Sequence, residues 1–209
     1  LRVQIRDADG TASWLEYDSL VVGTGAVPVR PPIEGLDTLG PGDGVHLLHS
    51  MGDTLALDAT LEEHGPASAL IVGAGYVGLE MAEALTARGI AVTQVERLPE
   101  VLPTVDPELG ARVRAELTRH GVDVHTETTV TRITHAPAGP GRLHVEGTGL
   151  DGQPTGWDVD LVLVVVGVRP DTDLLTAAGA QTGAGGAVLV DEAMATGLPG
   201  VWAAGDCVV

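Results

Sequence analysis

The 209-residue chain contains no lysine, no phenylalanine and only one cysteine. Without lysine, the chain cannot supply a P-loop phosphate-binding lysine or form a Schiff base. The single cysteine, Cys207, excludes an internal disulfide framework and fits a reducing compartment, so we predict a cytoplasmic location. No basic residue lies near Cys207 in the sequence to lower its pKa, and we therefore interpret it as a buried structural thiol.

Positive charge is scarce as well. The chain has eleven basic residues, all of them arginine, and 29 acidic residues, which gives a net charge of −18. Such a chain has no basic patch to neutralise phosphates, so neither nucleic acid nor an anionic membrane is an expected partner. The longest apolar run, at 161–166, is too short to cross a bilayer, and no leader of the secretory kind is seen. No metal-ligand spacing and no G-x-S-x-G nucleophile motif occurs either.

Hydrophobic patterning predicts an α/β fold. A hairpin is expected around the DADG turn at 7–10, and Ser50 with Asp53 forms a capping box for a helix that ends at Gly65. From residue 69 the pattern is strand, helix, strand, helix, followed by a small antiparallel meander with glycine- and proline-rich turns, one of them at 149–156. A last buried strand and a final strand pair, AVLVD with GVWAAGD, complete the predicted elements.

The run IVGAGYVGLE at 71–80 is a complete G-x-G-x-x-G motif between a buried strand and a helix. Gly73 permits the tight turn, Gly75 lets a pyrophosphate approach the backbone, and Gly78 allows the helix to pack on the strand. Glu96, at the end of the next strand, is placed to accept hydrogen bonds from the adenosine ribose, which favours NAD over NADP. Arg97 beside it can receive a 2′-phosphate, so binding of NADP stays open.

A near copy of the motif, VVGTGAVP, lies at 21–28. Pro28 occupies the third glycine's position and has no N–H, so a phosphate-binding helix cannot start there. We interpret this segment as a strand that ends in a tight turn and leaves one domain for another.

With these motifs, the sequence resembles the pyridine nucleotide–disulfide oxidoreductases, in which an NAD domain is inserted into an FAD domain. The segment in which the chain leaves the FAD domain resembles YDSLVVGTGAVPVRPPIEG, and the segment in which it returns resembles VVVGVRPDTDLL. The second flavin motif of the family resembles GVWAAGDCVV. GAGYVGLEMAEAL and VHLLHSMGDTLAL are most similar to the coenzyme A disulfide reductases, NADH oxidases and persulfide reductases.

The resemblance implies a Rossmann-like NAD-binding domain, with a parallel sheet and an antiparallel meander, at 49–168. It is flanked by partial FAD-binding segments at 1–48 and 169–209. The chain then corresponds to the middle of a longer protein. The flavin's own glycine motif and a reactive cysteine would precede it, and a dimerisation domain that makes the protein a homodimer would follow.

Site residues are also implied by the resemblance. Glu80 matches a glutamate near the nicotinamide, whose usual lysine partner this chain lacks. Tyr76 matches an aromatic residue that covers the flavin, with simple packing as the alternative. The pyrophosphate loop comprises Gly73, Gly75, Val77 and Gly78, and the acid that binds the ribose and its neighbour are Glu96 and Arg97. An adenine contact is implied for Val130, and a loop over the nicotinamide for Gly167. The flavin-side residues are Thr24, Gly25 and Asp206.

The implied activity is hydride transfer from NADH, or NADPH, to FAD and onward to a disulfide or persulfide, oxygen or peroxide. The chain alone is expected to bind NADH without turnover. Two alternatives stay open: a reductase for a ferredoxin or rubredoxin partner, and a non-catalytic NADH-binding module.

Overall fold

The computed structural model describes residues 1–137 and 142–209. The chain divides into two compact units, one formed by residues 1–27 and 168–209 and the other by residues 28–167. The helices are α1 (Met51–His64), α2 (Tyr76–Ala87), α3 (Pro107–Arg119) and α4 (Asp173–Ala177). The strands are β1 (Arg2–Arg6), β2 (Ala12–Glu16), β3 (Leu20–Val22), β4 (Ala26–Pro28), β5 (Val45–Leu47), β6 (Ser68–Val72), β7 (Ala91–Val95), β8 (Asp123–His125), β9 (Thr128–His135), β10 (Leu143–Gly149), β11 (Pro154–Val159), β12 (Leu161–Val164), β13 (Val168–Pro170) and β14 (Val201–Ala203).

The unit of residues 28–167 is built on a parallel sheet with strand order β5-β12-β6-β7-β8. The two central strands, β6 and β12, are buried on both faces, as their unbroken apolar sequences predict. One apolar cluster includes Leu85 of α2 and Leu163 of β12, and the other includes Val72 of β6 and Ile133 of the antiparallel meander β9-β10-β11. This arrangement confirms the predicted α/β class with a parallel sheet and a meander.

Helix α1 begins as the sequence predicts. The Ser50 hydroxyl accepts a hydrogen bond from the Asp53 backbone N–H at 3.2 Å, and the Asp53 carboxylate accepts one from the Ser50 N–H at 2.8 Å. Gly65 ends the helix in the left-handed conformation at φ 53°. The capping box and the glycine stop are therefore confirmed, and the first helical turn has its own side-chain acceptors.

The unit of residues 1–27 and 168–209 contains the predicted hairpin. Its strands β1 and β2 pair antiparallel, with Arg2 opposite Glu16 at one end and Arg6 opposite Ala12 at the other. The predicted pairing of AVLVD with GVWAAGD is wrong. Strand β14 of the second segment pairs instead in parallel with β3, Val201 lying opposite Leu20. The first segment contributes only isolated bridges, through Val188. Long-range parallel pairing of this kind leaves no local signal in the sequence.

Two other boundaries differ from the sequence expectations. The first division between units lies at 27/28 rather than 48/49, because Ile33 and Leu36 belong to the core of the larger unit and β5 pairs with β12. The predicted turn at 149–156 is shorter, since β11 already starts at Pro154. The predicted glycine- and proline-rich turn between the TVTRIT and RLHVEG strands includes residues 138–141, which lie outside the described residues. Within the described ranges, no helix is both long and apolar enough to cross a bilayer.

His46 is a polar residue in the interior of the larger unit. It lies on the edge strand β5 and is 1% exposed. Burial disfavours the charged imidazolium and lowers the pKa of His46 from its ordinary 6.5, and the negative charge of Asp53 opposes this effect only in part. The fold therefore holds His46 in its neutral form at pH 7.

The free energy of unfolding should depend on pH through His46. Unfolded His46 takes up a proton near pH 6.5, whereas folded His46 does so only at lower pH. The contribution of neutral His46 is then fully present above pH 6.5 and is lost as the pH falls through 6.5 towards the folded pKa. Denaturant unfolding at several pH values should show that His46→Leu flattens this decline. His64→Leu, at an exposed site in α1, should not. An equal slope in His46→Leu and the parent chain would contradict the assignment.

Candidate functional site

The three glycines of the motif have different structural roles. Gly73 follows β6 at φ 104°, and a Cβ there would lie 2.7 Å from the Val165 carbonyl oxygen. A Cβ on Gly78 would lie 2.2 Å from the Gly73 carbonyl oxygen, so α2 can pack on β6 only with glycine at this position. Gly75 has an ordinary φ of −79°, and a Cβ there would meet no atom within 4 Å. Packing requires glycine at 73 and 78, whereas neither packing nor φ requires it at 75.

Among residues 1–137 and 142–209, no side chain caps the N-terminus of α2. Gly75 is the N-cap residue, and the first turn has no side-chain acceptor of the kind that Ser50 provides at α1. The N–H groups of residues 76–78 lie in the first turn and have no intrahelical acceptor. These donors, the helix dipole and the open side of Gly75 together form a site suited to a phosphate group.

Glu96 lies next to this helix start, at the end of β7, and is 9% exposed. Its Oε2 accepts a hydrogen bond from the Ala74 N–H at 2.8 Å, and its Oε1 accepts one from the Leu98 N–H at 2.9 Å. The carboxylate thus holds the middle of the glycine loop against β7. Each carboxylate oxygen can accept a further hydrogen bond, so ribose hydroxyls can still be bound.

Two residues that the sequence analysis missed also fix the loop. Gln94 of β7 is fully buried, and its Nε2 donates to the Gly73 carbonyl at 3.2 Å. Leu102 donates its backbone N–H to the Ala74 carbonyl at 2.7 Å, with its own φ at 52°. A polar residue within the apolar pattern of β7 was the available signal for Gln94. Leu102 had no sequence signal, because it acts through its backbone.

The residues predicted around the loop lie on the surface. Tyr76 is 61% exposed, and its hydroxyl accepts a hydrogen bond from Thr104 at 3.2 Å. Val77 is exposed in the same turn, Glu80 is exposed one turn further along α2, and Arg97 is exposed next to Glu96. No ion pair joins Arg97 to an acidic side chain among residues 1–137 and 142–209. The positive charge of Arg97 is therefore available to a ligand.

Val130 and Gly167 lie in the same unit as the loop. Val130 is buried in β9, two residues after Thr128, whose N–H donates to the Glu96 carbonyl at 3.0 Å. Gly167 is exposed at φ 107°, two residues after Val165, and accepts a hydrogen bond from the Val29 N–H. The carboxyl ends of β6, β7 and β12 thus bring Gly73, Glu96 and Gly167 to one edge of the sheet, where open α/β sheets bind ligands.

The flavin-side candidates belong to the other unit. The Thr24 hydroxyl donates to the Asp171 carbonyl, and Gly25 adopts a φ of 68°. Asp206 is exposed, whereas its neighbour Cys207 is fully buried. The interpretation of Cys207 as a buried thiol is confirmed. The exposed carboxylate of Asp206 has the accessibility that a hydrogen bond to a ribityl hydroxyl requires.

Comparison with known proteins agrees with this geometry. A family model described as pyridine nucleotide-disulphide oxidoreductase matches residues 2–209. The chain is 38% identical to an NADH oxidase from Methanocaldococcus jannaschii, covering 99% of this chain and 44% of that protein. It matches the structure of an NAD-dependent persulfide reductase from A. fulgidus with a TM-score of 0.85 and 35% identity, over 99% of this chain and 36% of the other.

A third match is the water-forming NADH oxidase from Lactobacillus brevis bound to NADH. Its TM-score is 0.86 at 28% identity, over 99% of this chain and 43% of that one. The chain therefore spans less than half the length of the proteins that it matches.

Glu96→Gln should lower the free energy of unfolding by about 1–3 kcal/mol. The glutamine amide has one acceptor oxygen, so its NH₂ group would face either the buried Ala74 N–H or the part-buried Leu98 N–H. Urea unfolding would measure the change. The matched control is Glu80→Gln in the exposed part of α2, expected to change stability by less than about 0.5 kcal/mol. Equal stability of the two variants would show that Glu96 does not hold the loop.

Proposed function

The chain belongs to the pyridine nucleotide-disulphide oxidoreductase family, a family of NAD(P)H-dependent flavoproteins, and from this premise we propose that it forms the NADH-binding part of an FAD-dependent oxidoreductase. The conformation and surroundings of Gly75 are the observation on which the proposal rests. Its Cβ position is open and its backbone is unstrained, so neither packing nor φ demands glycine there, and this supports a close approach of a ligand to its backbone. A pyrophosphate at this position would accept hydrogen bonds from the first turn of α2.

The residues of the larger unit have complementary roles towards the dinucleotide. The Glu96 carboxylate would accept the ribose hydroxyls, and Tyr76 and Glu80 would lie along the nicotinamide side of α2, one turn apart. Val130 and Gly167 would contact the adenine and the nicotinamide. A bound NADH would supply a hydride, and these residues would orient it. Thr24, Gly25 and Asp206 would contact FAD from the other unit.

The names of the relatives suggest a function for the whole protein to which this chain would belong. We propose that the whole protein passes electrons from NADH through FAD to a disulfide, persulfide, oxygen or peroxide, as the names of an NADH oxidase and a persulfide reductase suggest. The protein would act in the cytoplasm as a homodimer on small molecules rather than on nucleic acid or membranes. Because its single cysteine, Cys207, is buried, the chain offers no accessible thiol for disulfide chemistry, and we expect the 209 residues alone to bind NADH without turnover.

Replacing Gly75 by alanine distinguishes an effect on NADH binding from an effect on the stability of the fold. We expect Gly75→Ala to stay folded and to lose no more than about 1 kcal/mol of stability, because the added methyl group meets no atom although alanine is a poorer N-cap residue than glycine. NADH affinity, measured by calorimetric titration, should fall by about tenfold or more, about 1.4 kcal/mol, because the methyl group occupies the space of the pyrophosphate.

Gly42→Ala is the matched control, since Gly42 also has open space around its Cβ position and no positive φ. It should keep full NADH affinity. If the parent chain and Gly75→Ala bind NADH equally well, the glycine loop is not the dinucleotide site.

The choice between NADH and NADPH depends on Glu96 and Arg97. The Glu96 carboxylate should repel a 2′-phosphate, so we expect tighter binding of NADH in parallel titrations. Arg97→Gln should weaken NADPH by about tenfold, as expected for a lost charge-assisted hydrogen bond of about 1.5 kcal/mol, and NADH by less than about twofold. Equal losses for the two nucleotides would contradict a role of Arg97 at the 2′-position.

A further inference from the structure

The segment of residues 97–105, between β7 and α3, contacts the glycine loop at two points. The Leu102 N–H donates a hydrogen bond to the Ala74 carbonyl at 2.7 Å. The Thr104 hydroxyl donates one to the Tyr76 hydroxyl at 3.2 Å. Ala74 and Tyr76 lie on either side of the glycine that begins α2. The position of segment 97–105 therefore affects how the loop presents that glycine to a ligand.

Leu102 adopts a backbone conformation that leucine rarely takes. Its φ is 52°, in the left-handed region that favours glycine. The Val105 N–H donates to the Leu102 carbonyl at 3.1 Å and closes a turn around it. A residue other than glycine keeps such a conformation only where its surroundings fix it. The hydrogen bond from Leu102 to the loop therefore depends on contacts that hold segment 97–105 in place.

Helix α3 provides contacts of this kind. Two parallel hydrogen bonds join the Arg114 guanidinium to the Glu100 carboxylate, at 2.9 and 2.7 Å. The next residue, Val101, is 1% exposed. A Cβ on Gly110 of α3 would lie 2.6 Å from the Val101 carbonyl oxygen, so the helix can approach the segment this closely only with glycine there. The two residues directly before Leu102 are thus attached to α3.

We propose that Arg114 and Glu100 are positioning residues for dinucleotide binding, a role that rests on the proposed NADH site. Their ion pair holds segment 97–105 where Leu102 and Thr104 meet the glycine loop. A bidentate guanidinium–carboxylate pair fixes direction as well as distance. Without the pair, the segment loses this hold, and NADH has to order the loop before it binds. That ordering lowers the affinity.

The NADH affinities of two single variants distinguish positioning from simple charge attraction. Arg114→Met keeps the apolar stem of the side chain, and Glu100→Gln keeps its size. In calorimetric titrations each should bind NADH about threefold more weakly, as expected for the loss of one part-exposed ion pair. Charge attraction alone would make Glu100→Gln bind the phosphates of NADH more tightly, because this variant loses a negative charge. Unchanged or tighter binding in Glu100→Gln would overturn the proposal.

Two further variants complete the titration. The double variant Glu100→Gln/Arg114→Met should lose no more affinity than either single variant, because one substitution already breaks the pair. Additive losses would show that the two side chains act separately. Arg119→Met is the matched control, since Arg119 pairs with Glu116 within α3 and carries the same charge on the same helix. It should bind NADH like the parent chain, and an equal loss there would point to charge rather than position.

Hydrogen exchange of the Leu102 amide tests the same role without a ligand. Both single variants should exchange this amide about threefold faster than the parent chain, because the segment opens more often. Arg119→Met should exchange it at the parent rate. The parent rate in both single variants would show that the ion pair does not hold the segment. If the parent chain does not bind NADH, the proposed function fails, and this exchange rate alone decides whether the pair positions the loop.

Discussion

The close approach of α2 to β6 is the constraint on which the site depends. A Cβ on residue 78 would lie 2.2 Å from the Gly73 carbonyl oxygen, inside any permitted contact distance. Only glycine at this position lets the helix begin directly over the end of the strand. Because the helix begins there, its first N–H groups lie at the carboxyl edge of the sheet, next to the end of β7.

The loop between strand and helix is then fixed from its other side by polar groups. Glu96 accepts the Ala74 N–H, Gln94 donates to the Gly73 carbonyl, and Leu102 donates to the Ala74 carbonyl. These bonds occupy the inward-facing backbone of the loop. The outward side at Gly75 and the first turn of α2 is left without a cap, and this division makes a rigid support for an anionic group.

Local sequence signals predicted much of this architecture. The tight turn at Gly73, the close packing at Gly78, the Ser50–Asp53 capping box and the buried apolar strands each depend on a few neighbouring residues, and each was confirmed. The parallel partner of β14 was missed because that pairing joins segments about 180 residues apart, where no turn fixes the register. Glu96 was predicted from its spacing to Gly78. Its hydrogen bond to the loop was not, since a sequence cannot show which oxygen meets which N–H.

Amide chemical-shift mapping of the chain during titration with NADH tests whether the glycine loop binds the dinucleotide. We expect saturable shifts that are largest at residues 75–78 and 96–98, where the uncapped start of α2 lies next to the carboxylate at the end of β7. Saturable shifts confined to other parts of the chain, or no saturable shifts at all, would contradict the assignment of this loop as the NADH site.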